Sequence, residues 1–408
     1  MFGRIAKIIG LLIAGLIGLL ILFLIVSMIR YSPEYVIRTL RWRESSVETY
    51  RELFPTRKVS APAESFIFNE SPAEEARVAQ SFESIFKTPD FDAFMTAIGS
   101  EAFIVIQDDT LLLERYYNGA SRDTLMTSFS AAKSFTTALI GAAIDAGYIN
   151  NINDPITDYL PELSERDDRF EDITIRHLML MASGLEYQEL RSGVFNSDDV
   201  ITTYYPDQRE AALSFTEIVD PPGEYFQYNK YHPQLLGLIL ERTTGMPVAR
   251  YLEEVIWQQI GMEYDGSWSL DSDESGFEKM ETGVNATAID FAKFGRLYLE
   301  GGNWEGVQVL PAEWIVESTS VDPDLHKESY YPDDFGQLIY SELDGYYKYM
   351  WYGFFRGEEG YDFMAEGDRG QFIFVAPDKR MIIIRNGLDW GMSSEAWTKA
   401  FQKFADQW

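Results

Sequence analysis

Residues 127–148 read TSFSAAKSFTTALIGAAIDAGY. Ser130 and Lys133 stand three apart at the start of an Ala-rich apolar run that Gly147 closes. Such a run reads as a buried helix over residues 131–146, with glycine ending it. On a helix, positions three apart share a face. A second Ser-x-x-Lys, Ser84 and Lys87 in ESIFKTPD, serves as a control. About two such matches are expected by chance in a chain of this length. Context therefore decides between them. A serine at a helix's first turn feels the positive end of the dipole, which favours an alkoxide. Its backbone N–H is still unpaired there and can face an oxyanion. A lysine buried by the same helix loses its preference for charge and becomes a usable base. Ser130 and Lys133 meet these conditions. Lys87 instead precedes Thr88-Pro89 at a helix end, where a cation is ordinary stabilisation.

The rest of the chain removes competing chemistries. It has 408 residues, 46% hydrophobic and 15% aromatic, enough for a substantial core. Its net charge of −31 excludes nucleic acid as a natural partner and accounts for solubility. There is no cysteine, so disulfides, thiol catalysis and Cys-bound zinc are absent. The three histidines, His177, His232 and His326, have no metal-binding spacing, and no metal or cofactor is expected. There is no Gly-x-Ser-x-Gly elbow, and His177 lies in the apolar IRHLMLM, read as a packed helix. No phosphate-cradling glycine loop is present. The remaining route to an activated serine is a lysine base.

Residues 8–29, IIGLLIAGLIGLLILFLIVSMI, carry no charge over 22 positions. About 20 apolar residues cross a bilayer. No Ala-x-Ala pattern follows, so residues 1–30 are read as a retained signal anchor. Arg4 and Lys7 precede the segment, and Arg30, Arg38, Arg41 and Arg43 follow it. Counted literally, these charges lean towards a cytoplasmic domain, but long domains translocate largely regardless of charge. Residues 31–75, with four prolines, are read as a stalk with a lead-in helix, and residues 76–408 as the folded domain. AFIVIQDDTLLLERYYNG predicts a hairpin turning at Asp108-Asp109. Helix and loop signals fill residues 148–300, and strand signals return in YKYMWYGFFRG, QFIFVAPDK and RMIIIRNG. A last helix is expected over about 393–406. Strands bracketing a helical middle predict an α+β fold: an antiparallel sheet flanked by helices, with a mostly helical lobe inserted at about 150–285.

SFSAAKSFTTALIGAAIDAGYINNINDPITDYLPEL resembles the active-site helix and following loop of the serine β-lactamase and penicillin-binding superfamily. It is most similar to the class C β-lactamase-related serine hydrolases, which include esterases and 6-aminohexanoate-dimer hydrolases. ITIRHLMLMASGLEYQE, PPGEYFQYNKYHPQLLGLILERTTG, GVNATAIDFAKFGRLYLEGG and AEGDRGQFIFVAPDKRMIIIRNG resemble later family segments in the same order, over most of residues 100–390. MASGLEYQE and GDRGQFIFVAP tilt the resemblance towards the 6-aminohexanoate-dimer-hydrolase branch.

The resemblance implies a nucleophile at Ser130, its base at Lys133 and a catalytic tyrosine at Tyr228. A phenol beside a lysine can be held as phenolate or can shuttle the serine proton to the leaving group. The chain departs from the family in two places. Lys230 stands where class C enzymes carry asparagine, with Asn229 beside it as a possible substitute. Ala365-Glu366-Gly367 stands where β-lactamases carry Lys-Thr-Gly. The cation that would hold a β-lactam carboxylate is missing, so low β-lactamase activity is expected. The backbone N–H of Asp368 would still pair with that of Ser130 as the oxyanion hole. Glu366, Asp368 and Glu189 could select a cationic substrate, or form a solvated acidic loop. The implied function is a membrane-anchored serine hydrolase cleaving an ester or a non-β-lactam amide. The alternative is a tethered binding or sensor protein with little turnover. Relatives mostly act outside the cytoplasm, so the catalytic domain is expected in the periplasm or outside the cell.

Overall fold

The computed structural model describes residues 2–43, 45–189, 194–357 and 360–408. Seven antiparallel strands build the main sheet: β1 Ser100–Gln107, β2 Thr110–Tyr116, β3 Gly345–Lys348, β4 Trp351–Arg356, β5 Gly360–Gly367, β6 Gln371–Ala376 and β7 Met381–Gly387. Their spatial order is β3-β4-β5-β6-β7-β1-β2, and Asn69–Glu70 adds a short parallel edge to β2. The early hairpin thus docks beside the last strand, with Met381 opposite Gln107 and Ile384 opposite Ile104. Asp108 and Asp109 take φ of 48° and 59°, the left-handed pair that a two-residue hairpin turn requires.

The helices that position the site are α1 Phe2–Arg30, α2 Pro33–Trp42, α3 Ala132–Asp145, α4 Asp198–Tyr204, α5 Tyr231–Thr244, α6 Ala288–Leu299 and α7 Ser394–Gln407. Strand alternation sends successive side chains to opposite faces of the sheet. Phe372 and Phe374 meet Phe401 of α7. Ile373 and Val375 face Gly295 of α6, where a Cβ would come within 3.0 Å of Ile373. Helix α3 lies on the α6 side, with Phe135 stacked on Phe294 at 3.7 Å between centroids. The expected α+β architecture is present. So is the last helix.

Two regions differ from expectation. Between 148 and 300 the chain contributes strands Gly266–Ser269 and Val284–Ala286, which pair with each other in a second antiparallel sheet. Met126–Thr127 and Thr56–Val59 complete it. Runs of two to four residues are too short to show alternation.

The described part of residues 31–75, expected as a stalk, is built into the body: residues 31–43 and 45–75. Ser32 caps α2 by accepting the Tyr35 N–H at 3.0 Å. Tyr35 and Val36 are fully buried among Phe195, Val200, Ile201, Tyr204 and Tyr205. The Tyr35 hydroxyl donates to the Phe195 carbonyl at 2.9 Å, and Arg38 donates to the Asp271 carbonyl at 2.5 Å. Prolines and mixed polarity suggested a linker, but the partners of this apolar face lie more than 150 residues away. Before it, α1 includes the one segment among the described residues that is long and apolar enough to cross a membrane, Arg4–Arg30, whose most apolar 18-residue stretch has mean hydropathy 3.2.

Deleting a fully buried aromatic side chain costs about 3–5 kcal/mol. Tyr35→Ala should therefore lower the melting temperature of the full chain in detergent by several degrees. An unchanged melting temperature would return residues 31–42 to the role of a loose tether.

Candidate active site

The site begins where the second sheet hands the chain to α3. The Ser128 N–H donates to the Val284 carbonyl at 2.8 Å, anchoring the chain just before a single 3₁₀ turn, Phe129–Ala131. Phe129 is held at φ 42°, a strained value for a bulky residue. The end of β5 presses on this turn. A Cβ on Gly367 would lie 2.1 Å from the Ser128 carbonyl oxygen and 3.1 Å from the Ser130 nitrogen, so only glycine fits. Among the hydrogen bonds of the described residues, the amides of Ser130 and Asp368 have no acceptor. Both residues line the same cleft.

One helical turn on, Lys133 points back under Ser130. Its Nζ lies 2.8 Å from Ser130 Oγ and donates to the Glu281 carbonyl at 2.8 Å. Only 1% of Lys133 is exposed. Burial pushes its ammonium well below the ordinary lysine range, and the nearby Lys230 cation pushes the same way, against Glu281 and Asp199. Tyr228 sits on the loop before α5, its ring centroid 5.0 Å from Lys133 Nζ. Burial raises the Tyr228 phenol, the Ser130 hydroxyl works against this, and the Glu366 carboxyl adds to it. The phenol is thus protonated at neutral pH.

The Asn229-Lys230 ambiguity resolves in the structure. Asn229 is fully buried; it donates to the Leu185 carbonyl at 3.1 Å and accepts the Tyr231 N–H at 2.9 Å. It therefore organises the start of α5. Lys230 lines the cleft and is bound to the Asp199 carboxylate of α4. Burial works to discharge Lys230, but Asp199 outweighs it and holds the amine protonated. Burial likewise opposes Asp199, whose carboxyl Lys230 brings below the usual range.

The cleft encloses about 950 Å³. Tyr187, Phe335, Tyr352 and Trp390 give it aromatic walls. Tyr228 packs edge-on against Phe335 at 5.4 Å, and Trp390 donates to Asp368 Oδ1 at 3.0 Å. Glu366 lines it too, held by the Ser394 hydroxyl at 2.6 Å. Burial raises the Glu366 carboxyl to about 7. Ala365 is fully buried and offers the cleft no cation, while Glu189 is an exposed rim residue. The cleft thus gathers Ser130, Tyr228, Lys230, Glu189, Glu366, Gly367 and Asp368, with Lys133 beneath.

Sequence reasoning missed Asp199, the Glu281 carbonyl, Phe335 and Trp390. It also missed Trp42, Arg43 and Tyr50, which line the cleft from the segment read as a stalk. None belongs to a local motif. The histidines are placed elsewhere: His232 bonds Ser183 at 2.6 Å, His326 the Gly345 carbonyl, and His177 caps its own helix. Among the described residues no group of acids and histidines could hold a metal. Ser84 and Lys87 are exposed, and Lys87 is the left-handed cap of its helix.

Comparison with known proteins matches this chain to a family. The model described as Beta-lactamase covers residues 89–393. The 6-aminohexanoate-dimer hydrolase of Paenarthrobacter ureafaciens is 25% identical over 349 residues, 82% of each chain. Among solved structures, a Bacillus anthracis protein provisionally named a 6-aminohexanoate-dimer hydrolase superposes with TM-score 0.70. It is 23% identical, covering 90% of this chain and 94% of the other. EstCE1, a hydrolase with promiscuous acyltransferase activity, superposes with TM-score 0.61 at 12% identity, covering 82% of this chain and 99% of the other. The match over most of the chain, on a mixed sheet flanked by helices, establishes that this protein belongs to the Beta-lactamase family, within the serine β-lactamase and penicillin-binding superfamily.

Proposed function

We propose that the protein is a membrane-anchored serine hydrolase that opens an ester or a linear amide through an acyl-enzyme. The observation that carries this reading is the buried, charge-averse Lys133 amine 2.8 Å from Ser130 Oγ. In its neutral form the amine has a lone pair for the serine proton while an N–H stays on the Glu281 carbonyl. Ser130 Oγ attacks the carbonyl carbon, and the amides of Ser130 and Asp368 receive the oxyanion. Tyr228, protonated, passes a proton to the leaving alkoxide or amine and regains one from Lys133, which gives up the proton it took from Ser130 and is neutral again. Water then repeats the sequence on the acyl-enzyme and frees the acid. The hydrolase relatives support the reaction class, since they include an amide hydrolase and Esterase EstB of Burkholderia gladioli.

α1 is the anchor in this reading, and the packing of the chain just after it against the folded body supports retention over cleavage. The catalytic domain lies outside the cytoplasm. Ala365 puts no cation at the end of β5, Glu366 puts a carboxyl there, and Arg369 just beyond is paired with Asp368, so β-lactams are poor substrates.

A fluorophosphonate probe should label the wild type at Ser130, and Ser130→Ala should not label. Absent labelling of wild type, or equal labelling of the variant, overturns the enzyme reading in favour of a tethered binding protein. Lys133→Met should slow p-nitrophenyl ester turnover by about 10²–10⁴-fold, the usual contribution of a general base. Nitrocefin turnover should fall roughly 100-fold or more below ester turnover, because a desolvated anion left without its partner is that costly.

The pH profile tests the base. The active form of Lys133 is neutral, so kcat/KM should rise with pH through its lowered pKa and then level off. Lys230 helps depress that pKa. Lys230→Met should therefore move the rising limb to higher pH. Glu366 also titrates, at about 7, so the limb should survive in Glu366→Gln. A limb that vanishes there, or ignores Lys230→Met, would show that Lys133 is not the base.

A further inference from the structure

The lobe that carries the cleft overlaps the apolar helix instead of hanging below it. Phe195 stacks on Phe23 with centroids 5.7 Å apart. Phe23 lies six residues inside the uncharged segment that ends at Ile29. At 1.5 Å rise per residue, that is about 9 Å below the segment's end. Leu24 and Met28 join the same apolar cluster, and the Tyr205 hydroxyl donates to the Tyr31 carbonyl at 3.2 Å. A face of the lobe therefore reaches the depth at which the helix enters the bilayer.

Helix α2 continues that face. Its inner side buries Tyr35, Val36 and Thr39, while Ile37 and Leu40 point outward, 45% and 56% exposed. Val194, beside Phe195, is also exposed. Flanking Ile37 and Leu40 in the sequence are the exposed Arg30, Arg41 and Arg43. Residues 30–43 hold four arginines and one acid in a chain of net charge −31. Tyr31 and Trp42, at the two ends of this stretch, are residue types that favour membrane–water boundaries.

We propose that this face is a second membrane contact, seated in the headgroup layer of an anionic leaflet. Ile37, Leu40 and Val194 enter the interface, and Arg30, Arg41 and Arg43 meet the lipid phosphates. The inference rests on α1 being a retained anchor. It deepens the functional reading, because Trp42 and Arg43 also line the cleft. The cleft mouth is thereby held at the membrane surface, and the substrates it favours are acyl compounds presented from the bilayer.

The absence of native cysteine makes single-site labelling clean. The full chain, carrying Ile13→Cys, Ile37→Cys, Leu40→Cys or Val307→Cys, is labelled with a nitrobenzoxadiazole dye. It is reconstituted in phosphatidylcholine vesicles with or without roughly one-third phosphatidylglycerol, and spin-labelled lipid is the quencher. Quenching is expected at 13, 37 and 40, stronger at 37 and 40 with the anionic lipid, and absent at 307. Quenching at 13 without quenching at 37 and 40 leaves the anchor standing and overturns the second contact. No quenching at 13 removes the anchor and the contact together. Labels at 37 and 40 that are shielded, lipid-insensitive and close enough between copies for energy transfer indicate a self-association face and overturn the lipid assignment. The wild type should also hydrolyse a long-chain ester embedded in the vesicles in preference to a short soluble one. An Ile37→Asp/Leu40→Asp variant should lose that preference and keep the soluble activity; retained preference overturns the role of the contact in substrate presentation.

Discussion

A lysine ammonium sealed from water costs several kcal/mol unless an anion meets it, and among the described residues Lys133 has no carboxylate in hydrogen-bond contact. It has a serine hydroxyl and a backbone carbonyl. Both are partners of a neutral amine. The fold supplies this setting from two directions. Helix α3 buries the lysine from one side, and the Glu281 carbonyl, just before the second sheet's Val284–Ala286 strand, closes it from another. The acid of Glu281 is turned away and paired with Lys279 at 2.8 Å, both fully buried. The main chain at 281 therefore touches Lys133 directly, while its carboxylate is paired with Lys279 and reaches Lys133 only through its longer-range field.

Around that amine the remaining parts are set by close approach. Gly367 lets β5 touch the turn that holds Ser130, and the turn itself is held open by a strained Phe129. A left-handed phenylalanine survives only where its surroundings over-determine it. Here Tyr50 packs on its ring at 5.2 Å, so the amino-terminal segment helps hold the turn that carries Ser130. The amino-terminal helices, the second sheet and the main sheet meet at one short loop.

Legibility in the sequence followed the range of the interactions. Ser130 and Lys133 are local neighbours on one helix, and a short motif shows them. The hairpin at Asp108-Asp109 and the last helix are local too, through turn chemistry and periodicity. The second sheet was hidden because its four strands are short and come from three separate stretches of the chain. Asp199, Trp390 and the Tyr35 pocket were hidden for the same reason: their partners are fixed by the fold and not by spacing. The doubt over Asn229 and Lys230 was of a different kind. Adjacent residues on a loop can point either way, and only the burial of Asn229 against Leu185 decides it.

That outcome changes the electrostatic account of the cleft. With Ala365 buried and uncharged, the one lysine lining the cleft among the described residues is Lys230, on the tyrosine loop across from β5. Its charge is largely committed to Asp199. A paired ammonium attracts a substrate carboxylate far less than a free one would, since any new anion must compete with a partly buried carboxylate already in place. The residual field of the pair still reaches Lys133, where Lys230 lowers and Asp199 raises the amine's pKa. The pair therefore acts inward, on the proposed base, more than outward, on the substrate. In the proposed reading, substrate recognition falls to the aromatic walls, to Glu366 and to the Trp42–Arg43 rim. Those surfaces suit an apolar acyl group better than a small, highly charged one.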